Sequence, residues 1–420
     1  MLNPAVNADT FSIASAANTM NSIALPKIPD QIAHRFTSDL IQRLITLRRH
    51  LHQHPELSEQ EEKTADRLEV ELNAINAAEV TRIAGTGLVA RIPGQDGSAP
   101  VVAIRGDIDA LPIQEDTGLP FASKNEGVMH ACGHDVHASW AIGAAHLLAN
   151  EPATGDVLVV LQPAEELGRG ANAVMKSGVL DNTSMIFGAH VDRRYDTGKA
   201  VVQPGPLAAA SDTFEIQING QGGHGARPHE SRDPIIAAAA LINSLHHIVA
   251  RTLDPADAGV VTVGQINAGV APNVIPDTAF LTGTLRAVTN ETWQHLRDEI
   301  QKRAHAIGEA YNVSTQVTIK DGTPPIINDE TATQYARTAC EAELGQDSIT
   351  RMDTLNMGGE DFACYLEKMP GCFIRIGARE PGSEFIPAHS PHFYADEVAI
   401  FTGAAVLAAA AREASTALAT

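Results

Sequence analysis

An α/β fold with a largely parallel-sheet catalytic domain, interrupted by an inserted ferredoxin-like α+β module, is what the sequence predicts. Three observations carry this. Short apolar runs recur at 88–92, 101–104, 157–161, 185–187 and 373–376, each about the length of a buried strand. Helical spacing separates several of them, as in 135–149 (HDVHASWAIGAAHLL), and strands alternating with helices build parallel sheets. Between 207 and 322 the rhythm changes to strand, helix, strand, strand, helix, strand, the β-α-β-β-α-β order.

Taken along the chain, residues 1–35 are weakly charged and read as a flexible N-terminal arm. Apolar residues at helical spacing over 37–53 predict a helix that stops at Pro55. A second amphipathic helix is expected over 59–75, starting near Ser58 with acidic residues in its first turn. In the inserted module, 213–218 alternates as a strand. Asp233 and Pro234 then open an Ala-rich helix as cap and first turn. Strands follow at 260–266 and 278–288, a helix at 290–309 and a last strand at 314–319. The α/β character returns from 323 and runs to 420. Residues 36–206 and 323–420 therefore form one domain, and 207–322 forms a second set into it.

A chain of 420 residues is long for one core, which agrees with two domains. Its 44% apolar, 19% charged and 4% aromatic content is that of an Ala-rich globular protein. A formal charge of −21 argues against nucleic acid, because phosphate binding needs clustered Lys and Arg. Four cysteines (Cys132, Cys340, Cys364, Cys372) form no disulfide framework and point to a reducing compartment. The start lacks a basic and apolar leader, and no uninterrupted apolar stretch approaches eighteen residues. A cytoplasmic protein that does not cross a membrane is expected.

Residues able to bind metals fall where strands end. Asp107 and Asp109 follow 101–104. Cys132 and His134 lie in HACGHD just before a helix, Glu165 and Glu166 follow 157–161, and His190 follows 185–187. Open α/β sheets gather ligands at the carboxyl ends of their strands. A Cys-x-His pair, a Glu-Glu pair or a lone histidine is each usually incidental. Together they describe one edge, where adjacent buried carboxylates need nearby cations. Thiolate, imidazole and carboxylate in combination suit zinc, manganese, cobalt or nickel better than magnesium or calcium.

The segments RRHLHQHPELS, RGDIDALPIQE, MHACGHDVH, LQPAEE, GGHGARPHESRDP, APNVIP, NMGGEDF and AHSPHF stand in the order found in N-acyl-amino-acid amidohydrolases. The sequence resembles that group, which includes hippurate and indole-3-acetyl-amino-acid hydrolases within the aminoacylase and carboxypeptidase-G-like dinuclear metallopeptidases. The resemblance spans about 37–412. It implies two divalent ions held by Cys132, His134, Glu166, His190 and His389, with Cys132 bridging. It also implies Glu165 as general base and Asp109 as a supporting aspartate. Asp107 stands where sister branches place a histidine ligand and is not counted as one. His224 matches a histidine that reaches a partner's site across a homodimer. Asn273 and Arg286 match positions gripping the substrate carboxylate, and Gly358 and Gly359 match the pocket wall.

Other histidines are read as structural. His50, His52 and His54 lie on a helix that turns His52 away from the other two. His137 and Asp135 are support or helix-start residues, and His392 is the rival of His389. The activity implied is hydrolysis of N-acyl amino acids. A dipeptidase or carboxypeptidase on the same centre, or a non-catalytic binding relative, are the alternatives.

Overall fold

The computed structural model describes residues 26–75 and 79–420. In chain order the strands begin with β1 (Glu79–Ile83), β2 (Gly87–Ile92), β3 (Val101–Asp107), β4 (Val157–Gln162), β5 (Thr183–Asp196) and β6 (Ala200–Val201). Next come β7 (Gly205–Ala208), β8 (Ala210–Asn219), β9 (Gly223–His224), β10 (Gly259–Ala268), β11 (Val274–Ile275) and β12 (Thr278–Ala287). The last are β13 (Ser314–Thr323), β14 (Ile326–Asn328), β15 (Ile349–Thr350) and β16 (Gly371–Arg379).

Eight strands make the central sheet in the order β1-β2-β4-β3-β5-β16-β6-β15. Its middle, β4-β3-β5-β16, is parallel, as near-continuous apolar strands covered on both faces require. The β1-β2, β2-β4 and β16-β6 pairings are antiparallel, so the sheet is mixed at its flanks. One face carries the helices Ser38–Gln53, His134–Asn150 and Val398–Leu418, packed around Leu44, Trp140 and Phe401. The opposite face carries a smaller apolar layer around Leu207, Phe362, Tyr365 and Phe373.

The inserted module has its own four-stranded sheet, β10-β12-β8-β13, antiparallel throughout. The helices Pro234–Thr252 and Asn290–Ala310 cover it, and Asp233 caps the first by accepting from Ile235 N and Ile236 N. Its core around Phe214, Leu241, Leu281 and Ile300 is separate from those of the central sheet. The ribbon of β7 and β14 marks where the chain leaves and returns.

Three expectations change. Residues 1–25 of the expected arm lie outside the described residues, but Ile28 and Ile32 are buried in the main core, so the packed body starts well before residue 36. The second helix is Glu62–Asn73 and has no side-chain cap. Ser58 instead donates to Asp109 Oδ2 at 2.7 Å, so the local capping signal yields to a tertiary contact. His190 does not follow a strand but sits within β5, which runs on to Asp196 because pairing with β16 continues past it. Pro234–Thr252 and Val398–Leu418 are long and apolar enough on average to cross a membrane, though polar residues interrupt both. Val398–Leu418 is largely buried among the core helices, and Pro234–Thr252 lies on the module's sheet.

Candidate metal centre

The site forms where β3, β4 and β5 meet the loops bearing Cys132 and His389. Gly133, between Cys132 and His134, takes φ +92°, and a Cβ there would lie 2.5 Å from Val191 Cγ2. Only glycine lets this turn press against β5 and start the helix at His134. On the other side of the site, Ala164 (φ +52°) tips Glu165 and Glu166 inward, and its N–H is held by Glu61 Oε1 at 2.9 Å. His389 also has positive φ (+64°), and its N–H donates to Ala131 O at 2.8 Å, tying its loop to that of Cys132.

Hydrogen bonds fix the imidazoles. His134 Nδ1 faces only oxygen acceptors, Asp109 O at 2.9 Å and Asp109 Oδ1 at 3.1 Å, so it donates and leaves the Nε2 lone pair free. His190 Nδ1 donates to Val191 O at 2.7 Å, which turns its Nε2 toward Cys132 Sγ at 3.3 Å. His134 Nε2 lies 3.9 Å from both Glu165 Oε2 and Glu166 Oε1, and His389 Nε2 lies 3.5 Å from Glu166 Oε2. Two sets of donor atoms thus share Cys132: one with His134 and His190, the other with Glu166 and His389.

His137 and Asp107 also approach His134 but are already engaged. His137 Nε2 accepts from Val191 N at 3.0 Å, so its Nδ1 donates to Asp107 Oδ1 at 2.6 Å. Asp107 also pairs with Arg105. Asp109 accepts from His134, from Ser58 and from Glu166 N at 3.0 Å, so one carboxylate orients a histidine and the turn bearing both glutamates.

The electrostatics call for positive charge. Burial, then Glu360, Asp361 and Glu166, raise the Glu165 carboxyl well above the usual range. Burial and the Glu166 carboxylate push the Cys132 thiol up to about 12. Against burial, Asp107 and the Asp109 hydrogen bond raise the His134 imidazole well above its ordinary value. His190 moves the other way: burial, then His137 and Arg375, hold it well below. His134 Nε2 and Glu166 Oε1 are buried without hydrogen-bond partners. Orphaned lone pairs beside a thiol in an acidic, buried cluster are the donor set divalent cations require.

The cluster floors a cavity of about 780 Å³ that Gly358, Gly359 and Arg286 also line. Arg286 is half-buried rather than exposed, and burial holds its guanidinium below the ordinary value. At Gly359 a Cβ would lie 2.6 Å from Thr323 Oγ1, so glycine permits the close approach. His224 and Asn273 are elsewhere. They are exposed neighbours on the β9–β11 ribbon, where Gly225 N donates to Asn273 O at 2.8 Å, and neither lines the cavity of its own chain. Asn273 therefore stands with His224, not with Arg286.

The chain matches Peptidase family M20/M25/M40 over residues 103–413, a span holding all the residues above except Ser58 and Glu61. The chain belongs to this family. It is 42% identical to N-acetylcysteine deacetylase of Bacillus subtilis over 362 residues, 85% of this chain and 93% of that protein. It is 36% identical to IAA-amino acid hydrolase ILR1-like 4 of Arabidopsis thaliana over 401 residues, 93% of this chain and 90% of the relative. Among solved structures it resembles the YXEP protein of Bacillus subtilis, described as a dinuclear metal-binding peptidase. That likeness has a TM-score of 0.79 at 38% identity and covers 90% of this chain and 98% of the other. The two donor sets sharing Cys132 fit a two-ion centre of that kind.

The rest of the constellation follows the expected pattern only in part. His52 is buried, with Nδ1 2.8 Å from Asp135 and Nε2 3.3 Å from Glu115, while the His50 and His54 rings lie 4.5 Å apart, tilted by 33°. His392 is exposed against Asp116 O, and Cys340, Cys364 and Cys372 are buried free thiols. Sequence reasoning missed Arg105, Asp361 and Glu61. Arg105 is fully buried and binds Asp107, Glu360 and Asp361. Burial raises Asp361 to about 7. The Arg-Gly-Asp and Glu-Asp-Phe segments hinted at these residues, but their meeting across more than 250 positions is visible only in three dimensions.

Proposed function

We propose that this protein hydrolyses the amide bond of N-acyl amino acids, releasing a carboxylic acid and a free amino acid. One observation carries the reading: the imidazole Nε2 atoms of His134 and His190 and the thiol of Cys132 converge in a buried cluster beside two adjacent glutamates, Glu165 and Glu166. Cys132, His134, Glu166, His190 and His389 would hold two divalent cations, with zinc, manganese, cobalt and nickel all compatible. Bound there, such ions supply Lewis acidity toward a carbonyl and make water easier to deprotonate.

The chain's own groups do the rest. Glu165 accepts from Asp361 N at 3.4 Å through Oε1, which leaves Oε2 facing the cluster. Glu165 takes a proton from the attacking water and returns it to the leaving nitrogen, and its burial beside other acids favours the proton-accepting half of that exchange. Asp109 keeps His134 and the Glu166 turn in place. Arg286 offers a planar fork to the substrate carboxylate. Gly358 and Gly359 let backbone stand close to the bound molecule.

The catalytic domain is 36–206 with 323–420, extended at its start to include Ile28, and 207–322 is a lid and dimer surface. Exposure of His224 and Asn273 away from their own cavity supports a homodimer in which each chain lends both to its partner's site. A cytoplasmic location fits the four free thiols. The test is a panel of N-acyl amino acids and dipeptides offered to the metal-reconstituted protein, with release of free amine as readout. Acyl amino acids should be cleaved faster. Preference for dipeptides would favour a dipeptidase.

A further inference from the structure

Arg375 lies mid-way along β16, in register with His190 of β5, and lines the same cavity. It is only 5% exposed, its Nε has no hydrogen-bond partner, and no carboxylate among the described residues forms an ion pair with it. The neighbouring acids are hydrogen-bonded to other groups. Glu360 Oε1 accepts from Arg105 Nη2 and Phe362 N, each at 3.0 Å, and Asp192 is held by Arg194 at 2.6 Å. The Phe373 ring, 5.5 Å from the guanidinium carbon, offers only a weak contact.

The other arginines around this cavity show how unusual that is. Arg193 donates to Tyr394 O and to Glu384 O at 2.9 Å, and Arg194 is paired with Asp192. Arg286, contributed by β12 of the inserted module, donates only to Leu285 O at 3.1 Å. Arg193, Arg286 and Arg375 thus line the cavity without a carboxylate partner; Arg193 is held by two backbone carbonyls, which leaves Arg286 and Arg375, one from each sheet. A guanidinium cannot escape burial by losing its proton, so a buried one without an anion is strongly unfavourable. The α-carboxylate of an acyl amino acid serves only one of them.

We propose that Arg375 binds a second carboxylate of the substrate, so that the preferred substrates are N-acyl amino acids carrying two carboxylates. This rests on the amide-hydrolase reading above. The second carboxylate comes either from an acidic amino-acid side chain or from the far end of a dicarboxylic acyl group. Both present the same planar anion to the same fork.

Metal-reconstituted full-length protein tests this with two matched pairs: N-acetyl-L-glutamate against N-acetyl-L-glutamine, and N-succinyl-L-alanine against N-butyryl-L-alanine. In at least one pair kcat/KM should favour the dianion by about 30-fold or more, chiefly through KM, as expected for a desolvated charge pair. The first pair succeeding assigns the anion to the amino-acid side, the second to the acyl side. In Arg375→Met that ratio should collapse, while Arg375→Lys should restore part of it. No preference in either pair, measurable from wild-type protein alone, overturns the inference, as does a preference that survives in Arg375→Met. Cleavage of the monoanionic members as readily as the dianions would sink only this inference. Failure to cleave any of the four would sink the amide-hydrolase reading itself.

Discussion

At the carboxyl edge of the central sheet the candidate ligands His134 and His190 and the turn bearing the two glutamates are held from behind. Asp109 holds His134, Val191 O holds His190, and the Glu61 carboxylate holds the turn before Glu165. On the β9–β11 ribbon, by contrast, His224 and Asn273 stand in solvent. His224 Nδ1 only accepts from Ala226 N at 3.1 Å, which leaves Nε2 pointing outward as a donor. The difference teaches where each region finds its partners. The first is oriented within one chain: Nδ1 of His134 and of His190 each has its acceptor there, while His134 Nε2 and Glu166 Oε1 stay unpartnered inside the cluster. The second keeps a donor free, which suits the proposed action on another chain's site.

Three experiments can break or sharpen this contrast. The largest effect belongs to Glu165→Gln. It should lower kcat by about 10³- to 10⁴-fold while leaving metal content near wild type, because the proton carrier is lost and the ligands remain. Metal loss in step with activity would instead make Glu165 a ligand.

The next effect separates the regions. His224→Ala should cost on the order of 100-fold in kcat without changing metal content or melting temperature, as loss of one oxyanion donor does. Mixing it with Glu165→Gln should then restore activity toward about a quarter of wild type, because hybrid dimers contain one intact site. No recovery on mixing, after subunit exchange is verified, would place His224 outside its partner's site.

The smallest effect concerns the frame. His52 faces Asp135, Glu115 and Arg48. Burial opposes its charge, but the two carboxylates outweigh it, so its pKa is raised in the folded protein. The stabilisation is therefore complete below the unfolded-state value of about 6.5 and disappears as pH rises through the folded-state value. His52→Gln should lower the melting temperature most at about pH 6, with the gap narrowing at alkaline pH. A gap that widens with pH would contradict the ion-pair account.

Much of this was legible in one dimension because strand ends and short spacings carry it. Apolar runs located β2 to β5 and β16, and Asp233-Pro234 located the module's first helix. The five ligand candidates converge because each lies in or beside a strand of the central sheet or on a loop tied to it. The Ser58 contact was not legible, since a hydroxyl that can cap a helix can also hold an aspartate 51 residues away. The mixed flanks of the sheet were hidden because an apolar run does not state its direction. Arg375 was hidden most completely: one arginine in a strand means nothing until the carboxylates around it are seen to pair with other arginines.

The most direct measurement is cobalt reconstitution followed by absorption spectroscopy on wild type and Cys132→Ser. Wild type should bind two Co²⁺ per chain and show sulfur-to-cobalt charge transfer from both. The variant should lose that band and at least one ion. Two ions bound in both proteins, with no thiolate band in either, would mean that Cys132 does not join the two halves of the centre.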